Sequence, residues 1–156
     1  MNPIVGNHGW PAVESAAEFC HREATLAAVM AGHFKQLMVW RKAIDLADAV
    51  YTASESFPQH EKYGLSSQMR RAAVSVPSNI AEGQSHHSHP DFIRYLRLAR
   101  GSIAELQTQT VIAGRRGYLT RDAVRRLWRN ADEVNRMING LITASQKQIK
   151  SAAPED

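Results

Sequence analysis

Apolar residues recur at steps of three or four along most of the chain, which is the period of a helix with one buried face. The first such stripe predicts a helix over about residues 34–56, and the second predicts one over about residues 66–84. A third helix is predicted from Pro90 to about Ala113, and a fourth over about residues 121–147. No stretch alternates with the two-residue period of a strand. The pattern therefore predicts an all-α protein.

The links between these helices are short, so consecutive helices should be antiparallel. Pro58 interrupts the first link, S-H-H-S-H-P forms the second, and R-R-G-Y-L-T, with Thr120 able to cap the next helix, forms the third. The prediction is an antiparallel up-down-up-down four-helix bundle over residues 34–149. Residues 150–156 are expected to be a frayed tail. Residues 1–33 are expected to form a poorly ordered or weakly helical extension, and an alternative is that translation starts at Met30.

The second helix contains an unusual stretch over residues 70–83, R-R-A-A-V-S-V-P-S-N-I-A-E-G. Pro77 removes one backbone donor and predicts a kink near Ala73 or Val74, with nearby Ser and Asn side chains serving the freed carbonyl. Gly83 is placed to stop this helix, and Gly101 with Ser102 is expected to allow close approach of the third helix. Buried polar groups need partners. We therefore predict an interior salt bridge or hydrogen-bond network built from Arg71, Ser75, Asn79, Glu82 and Glu105. In one alternative, an arginine of the R-R pair at 70 and 71 is the internal partner of Glu82 or Glu105.

Three separated motifs carry a resemblance to a known family. They are F-x-x-L-x-V-W-R-K-A from Phe34, the stretch over residues 70–83, and L-A-R-G-S-I-A-E-L-Q-T-Q from Leu98. The chain resembles, from about Phe34 to Ile142, the four-helix-bundle proteins encoded within intervening sequences of bacterial 23S ribosomal RNA genes. It is similar also to the accessory variability determinant of diversity-generating retroelements, in the same group. The resemblance implies a homopentameric ring that binds nucleic acid, or an adaptor for a nucleic-acid-processing partner such as a reverse transcriptase. It implies no catalytic site.

Positive charge is concentrated in one part of the chain. The formal net charge is +4, but the segment from Phe92 to Arg129 holds nine arginines and only two acids, Glu105 and Asp122. Arginines spaced by three or four residues share a helix face, and a polyanion would offset their repulsion. We predict contact with a nucleic-acid backbone, at low sequence specificity, by Arg94, Arg97, Arg121, Arg125 and Arg129.

A simpler interpretation of the same arginines is a solvated face with local ion pairs. Examples of such pairs are Asp91 with Arg94, Asp122 with Arg126, and Asp132 with Arg136.

Candidate catalytic and metal-binding residues are few. Glu82 and Glu105 are the only plausible catalytic carboxylates, and the four predicted helices of the bundle carry none of the Glu-x-x-His pairs that a di-metal bundle needs. His86, His87 and His89 suggest a metal site, but a polar link is the more ordinary place for such residues. The expectation is a non-enzymatic protein without a cofactor or metal.

The remaining features concern partners and location. Large apolar residues in excess of one bundle seam predict self-association, and they are Val39, Trp40, Trp128 and Met137. Cys20 is alone, so no internal disulfide can form, and no apolar run reaches the length of a membrane helix. A cytoplasmic protein that does not contact a membrane is expected.

Overall fold

The computed structural model of the protein describes residues 26–152. Within that range it contains five α-helices and two short 3-10 turns, at Phe34–Gln36 and Gln59–Glu61, and no strand. The helices are α1 (Leu26–Ala31), α2 (Met38–Ser54), α3 (Leu65–Ser85), α4 (His89–Arg115) and α5 (Arg121–Ser151). The prediction of an all-α protein is confirmed.

The four long helices surround one hydrophobic core. Helix α2 packs against α3, α3 against α4, α4 against α5, and α5 returns to α2. Every one of the four contributes large side chains that are fully buried, among them Leu46, Met69, Phe92, Leu106 and Ile138. This closed arrangement is a four-helix bundle.

Hydrogen bonds between helices give the register of their packing. The Nε of Arg70, near the start of α3, donates to the Ser54 hydroxyl at the end of α2 over 2.8 Å. The Tyr95 hydroxyl, near the start of α4, donates to Glu82 near the end of α3 over 2.7 Å. Halfway along, the hydroxyls of Ser102 and Ser75 are 2.9 Å apart. The end of one helix therefore lies beside the start of the next, which is the register of antiparallel neighbours.

Helix α3 continues through Pro77, whose side chain is buried. Proline cannot donate to the carbonyl of Ala73, four residues earlier. The Ser78 hydroxyl donates to the Val74 carbonyl over 2.8 Å, and the Asn79 amide donates to the Ser75 carbonyl over 2.8 Å. These two side chains thus serve the carbonyls that follow Ala73, and among the described residues no side-chain hydrogen bond reaches the Ala73 carbonyl itself. The kink itself stays a prediction.

Two glycines have roles opposite to those predicted. Gly83 does not stop α3, which ends at Ser85; it is buried where α3 meets α4, and a Cβ there would lie 2.6 Å from the Cβ of Tyr95. A Cβ at Gly101 would meet nothing within 4 Å, so the predicted close approach at that glycine is wrong. Ser102, its neighbour, does contact α3. The close approach of α3 and α4 is therefore at Gly83.

The residues just before α2 belong to the bundle. Met30 is buried in the core, and the Gln84 side-chain amide donates to the carbonyls of Val29 and Gly32. The Nδ1 of His87 lies 2.8 Å from the Met30 carbonyl oxygen. Partners distant in sequence therefore hold residues 29–32 against the bundle, although the apolar stripe of this segment is thin. The boundary at residue 33 stays a prediction. The predictions for residues 1–25, and for the tail beyond residue 152, lie outside the described residues; α5 itself continues to Ser151.

A tight turn joins α4 to α5. Gly117 has a φ of +74°, a left-handed conformation that glycine adopts without strain. The Thr120 hydroxyl accepts from the Ala123 backbone N–H over 3.2 Å, and Asp122 is in the first turn of α5. The predicted cap is present, and the turn holds the arginines on either side of it close together.

Candidate nucleic-acid interface

All nine arginines between Phe92 and Arg129 are exposed to solvent. Only two of them have a carboxylate within 4 Å in the part of the chain that the structure describes: Arg94 with Asp91 at 3.8 Å, and Arg125 with Asp122 at 3.7 Å. Such surface pairs stabilise a protein by about 0–1 kcal/mol. The local pairs therefore leave most of this positive charge without compensation.

The pairs themselves differ in part from the expected ones. Asp91 with Arg94 is present, and Asp132 with Arg136 is present at 3.6 Å. Asp122, however, pairs with Arg125 and not with Arg126. Arg126 remains exposed, with no carboxylate within 4 Å among the described residues.

The five predicted contact arginines do not form one face. A Cβ on Gly114 would lie 2.8 Å from Val124, so the end of α4 is beside the start of α5. Arg97 precedes Gly114 by 17 residues, which is about 25 Å at 1.5 Å per residue. Arg94 and Arg97 are thus at one end of the bundle, and Arg121 and Arg125 are at the other, with Arg129 one turn further along α5.

The second group surrounds a shallow depression of about 320 Å³ beside the α4–α5 turn. Val111, Leu119 and Val124 contribute its apolar lining. Three arginines also line it, Arg115 from the end of α4 and Arg121 and Arg125 from the start of α5. We call these three the turn cluster. Sequence reasoning missed Arg115 as a contact residue, although the short R-R-G-Y-L-T link already placed it near Arg121.

Contacts with the α2–α3 link hold the turn in place. The Tyr118 hydroxyl donates to Glu61 over 3.2 Å, and the Tyr118 ring packs on Phe57 with centroids 5.5 Å apart. The other Glu61 oxygen accepts from the Leu65 backbone N–H over 2.9 Å. Two hydrogen bonds lower the pKa of Glu61. The Leu65 backbone N–H has the larger effect, and the Tyr118 hydroxyl has the smaller one. A hydrogen bond with Tyr118 raises the pKa of Arg116.

The predicted interior polar network is divided into separate contacts. Ser75 accepts from the Asn79 side chain over 3.0 Å and meets Ser102 on α4. Glu82 accepts from Tyr95, and this hydrogen bond raises the pKa of the Tyr95 phenol. Glu105 accepts from Gln109 over 2.9 Å.

Both glutamates are exposed, so the prediction of an interior salt bridge is wrong. Arg71 is exposed as well, and no carboxylate of the described residues lies within 4 Å of it. The physical reason is the helical period: these positions project from the outer faces of α3 and α4, where water and neighbouring side chains satisfy them.

A larger groove of about 940 Å³ follows the outside of α3. Two tyrosines, three cations and one acid are among the residues that line it: Tyr51, Tyr63, Lys62, Arg70, Arg71 and Glu105. We call it the basic groove. Sequence reasoning missed it because its residues come from the end of α2, the α2–α3 link, α3 and α4. Only the R-R pair at residues 70 and 71 was a signal in the sequence.

A second, apolar groove of about 390 Å³ adjoins the basic groove, since Tyr51 and Val74 line both. Its further apolar lining comes from Phe34, Trp40, Ile44, Ala47, Pro77 and Ala81. We call it the apolar groove.

The four residues predicted for self-association differ in their exposure. Val39 is fully buried and Met137 packs against the core, so neither is surplus. Trp40 is partly buried, with its ring centroid 5.2 Å from that of Phe34, and Trp128 is 41% exposed. Position on the helix, and not residue type, decides which of these side chains reaches the surface.

The two histidines of the α3–α4 link, His86 and His87, have separate surroundings, and His89 is the first residue of α4. His86 stacks on Tyr95 with centroids 5.2 Å apart, and His87 contacts the Met30 carbonyl. Over residues 26–152 no three His, Cys, Asp or Glu side chains come together as metal ligands would. None of the helices described there is long and apolar enough to cross a membrane.

Comparison with known proteins identifies the family. The sequence model of the 23S rRNA-intervening sequence proteins matches residues 35–140, more than half of the chain. The chain belongs to the 23S rRNA-intervening sequence protein family. The family match covers all of α2, α3 and α4 and most of α5, so it includes both arginine groups and most of the lining of both grooves.

A solved structure supports the fold of this family member. It is a protein of unknown function from the S23 ribosomal protein family of Bacteroides thetaiotaomicron, with a TM-score of 0.61 and 23% sequence identity. The match covers 67% of this chain and 98% of the other. At that identity it shows the fold alone. No curated protein matches the chain.

Proposed function

We propose that this 23S rRNA-intervening sequence protein is a non-enzymatic, cytoplasmic protein that binds the backbone of nucleic acid. The observation that carries the proposal is the set of nine exposed arginines accompanied by two acids. Arginine presents a planar fork of donors that fits phosphate oxygens, and each phosphate contact releases counterions. The turn cluster provides one contact region, and Arg94 with Arg97 provides a second at the opposite end of the bundle.

Low sequence specificity follows from the same residues. The arginines of the turn cluster extend from helix ends around a shallow depression, and their guanidinium groups suit phosphates on the outside of a nucleic acid. The apolar lining below them offers no donor or acceptor pattern to read base edges. Affinity should depend on salt much more than on sequence.

The test is a salt series with the purified protein. Replacing the turn cluster (Arg115→Gln, Arg121→Gln, Arg125→Gln) should weaken binding of duplex DNA at low salt. It should also reduce the slope of log affinity against log salt by about 0.9 for each lost phosphate contact, thus by about 2 to 3.

A charge-matched control removes Arg136, Lys147 and Lys150 by substitution to Gln, all of them exposed on α5 beyond the arginine groups. This control should keep most of the salt slope. If the wild-type protein binds neither RNA nor DNA at low salt, the proposal is wrong, and an acidic protein partner becomes the better explanation of the arginines.

We also propose that the protein associates with copies of itself, as a homopentameric ring. The apolar groove supports this, since it exposes a patch of Phe34, Ile44, Val74 and other apolar side chains to solvent. Val74 is 42% exposed, so Val74→Glu should leave the bundle folded while light scattering reports a smaller particle. Val111→Glu, an exposed site on α4 outside this groove, is the control. A monomeric wild-type protein would contradict the ring.

A further inference from the structure

We propose that the basic groove binds a single-stranded segment of nucleic acid, with a base stacked on Tyr63 and phosphates held by Lys62 and Arg71. This inference rests on the proposed function and specifies a site outside the predicted arginines. Proteins that bind single strands combine aromatic side chains, on which bases stack, with cations that follow the backbone.

Tyr63 is the first observation. Tyr63 lies in the link between α2 and α3, and it is 87% exposed. No other large apolar or aromatic residue between residues 29 and 152 is as exposed. An aromatic ring so exposed contributes little to the core. Lys62 lies with its Nζ 5.6 Å from the ring centroid, so a cation accompanies the ring that would receive a base.

The charges of the groove are the second observation. Lys62, Arg70 and Arg71 face one acid, Glu105, which already accepts a hydrogen bond from Gln109. Arg70 is held in place: its guanidinium carbon is 4.9 Å from the Tyr51 ring centroid, and its Nε donates to Ser54. Arg71 has no carboxylate within 4 Å among residues 26–152. The groove therefore has an excess of positive charge, and neither Lys62 nor Arg71 has a carboxylate within 4 Å among the described residues.

The form of nucleic acid follows from the aromatic residues. Base pairing and stacking within a duplex hide the faces of the bases, whereas an unpaired base can lie against a tyrosine ring. A site whose distinctive group is the exposed Tyr63 ring gains from a single strand what it cannot gain from a duplex. The two kinds of ligand should thus respond differently to the loss of the ring.

The position of the groove connects it with the turn cluster. Lys62 follows Glu61, which accepts a hydrogen bond from Tyr118 in the α4–α5 turn. Both sites are therefore at the same end of the bundle. A strand held at the turn cluster can continue past Tyr118 into the groove.

The experiment measures fluorescence anisotropy of a labelled oligouridine and of a labelled duplex of equal length. Tyr63→Leu should weaken oligouridine binding by about tenfold or more, since it removes one stacked base. Tyr63→Phe, which keeps the ring, should bind as the wild type does, and duplex affinity should be unchanged in both variants. Arg71→Gln should reduce the single-strand salt slope by about 0.7, and Arg136→Gln, a paired surface arginine on α5, should not.

Each outcome separates the two proposals. If Tyr63→Leu binds oligouridine like the wild type, or weakens both ligands equally, the groove is not a stacking site; a turn-cluster variant that still loses affinity then leaves the proposed function intact. If Tyr63→Leu changes the particle size in light scattering, the groove is an interface between copies and the inference is wrong. If the wild type binds neither ligand, both proposals are wrong. Circular dichroism melting of each variant confirms that the bundle is folded.

Discussion

Glu61 shows how one side chain connects two links of the bundle. One carboxylate oxygen accepts from the Leu65 backbone N–H at the start of α3, and the other accepts from Tyr118 in the α4–α5 turn. The charged form makes the stronger hydrogen bonds, so the pKa of this carboxyl is lowered from its ordinary value of 4.5. The turn cluster therefore depends on a residue that is distant from it in sequence.

The lowered pKa gives a pH-dependent prediction. Glu61→Gln should lower the melting temperature at pH 7, because the native state prefers the ionised carboxylate. That stabilisation is fully present above pH 4.5, the ordinary pKa, and is lost as the pH falls through the lowered pKa of the folded state. Thermal melts of both proteins should thus differ at pH 7 and converge in acid.

Glu55, an exposed glutamate at the end of α2, provides the control, and Glu55→Gln should change the melt little at either pH. A difference between Glu61→Gln and the wild type that stayed constant down to the acid limit would mean that the hydrogen bonds do not depend on the charge of Glu61.

At the scale of the helices, Gly83 decides how closely α3 and α4 approach each other. A Cβ at this position would lie 2.6 Å from the Cβ of Tyr95 and 3.3 Å from the Phe92 ring. The Tyr95 Cβ is fixed to its backbone and cannot move aside as the tip of a long side chain can. Phe92 is fully buried, so the helices would have to separate.

We predict that Gly83→Ala destabilises the protein by about 1–3 kcal/mol, the usual cost of overpacking a core. The matched control is Gly101→Ala in α4, where an added Cβ meets nothing and alanine favours the helix. That variant should be more stable than the wild type by about 0.5–1 kcal/mol. Denaturant unfolding measures both, and a loss of stability at Gly101 equal to that at Gly83 would contradict the assignment of the contact.

At the scale of the whole molecule, Gln84 attaches the segment before α2 to the bundle. Its side-chain amide donates to the carbonyls of Val29 and Gly32, and its side chain is buried. Met30 adds apolar contact to the core beside it. These contacts hold residues 29–32 against the four long helices.

We predict that Gln84→Leu lowers the free energy of unfolding by about 1–3 kcal/mol, because two carbonyls lose their donor. Hydrogen exchange should become faster for the backbone amides of residues 29–33, while the middle of α4 keeps its protection. Gln146→Leu, at an exposed position of α5, controls for the change of residue type. Unchanged exchange in residues 29–33 would show that other contacts hold this segment.

Much of the fold could be predicted because the apolar stripe of an amphipathic helix shows, within a few neighbouring residues, which face is buried. The stripes of α2 to α5 and the cap at Thr120 are all readable from residues within a few positions of each other. The roles of Gly83 and Gly101 could not be predicted from the sequence, because any small residue permits close approach of two helices and the sequence does not show at which of them the helices meet. The prediction of an interior salt bridge for Glu82 and Glu105 was wrong for a similar reason, since the sequence does not show which side of a helix its neighbours cover.

The same distinction between local sequence and tertiary packing applies to the candidate site. The sequence by itself determined that arginines are concentrated between residues 92 and 129, since the distribution of charged residues along the chain does not depend on how the helices pack. Only the tertiary structure decided that these arginines separate to two ends of the bundle, because antiparallel packing places the starts of α4 and α5 apart. It alone also brought Tyr51, Tyr63 and Arg71 into one groove, since contacts between residues far apart in the chain form only when the helices pack.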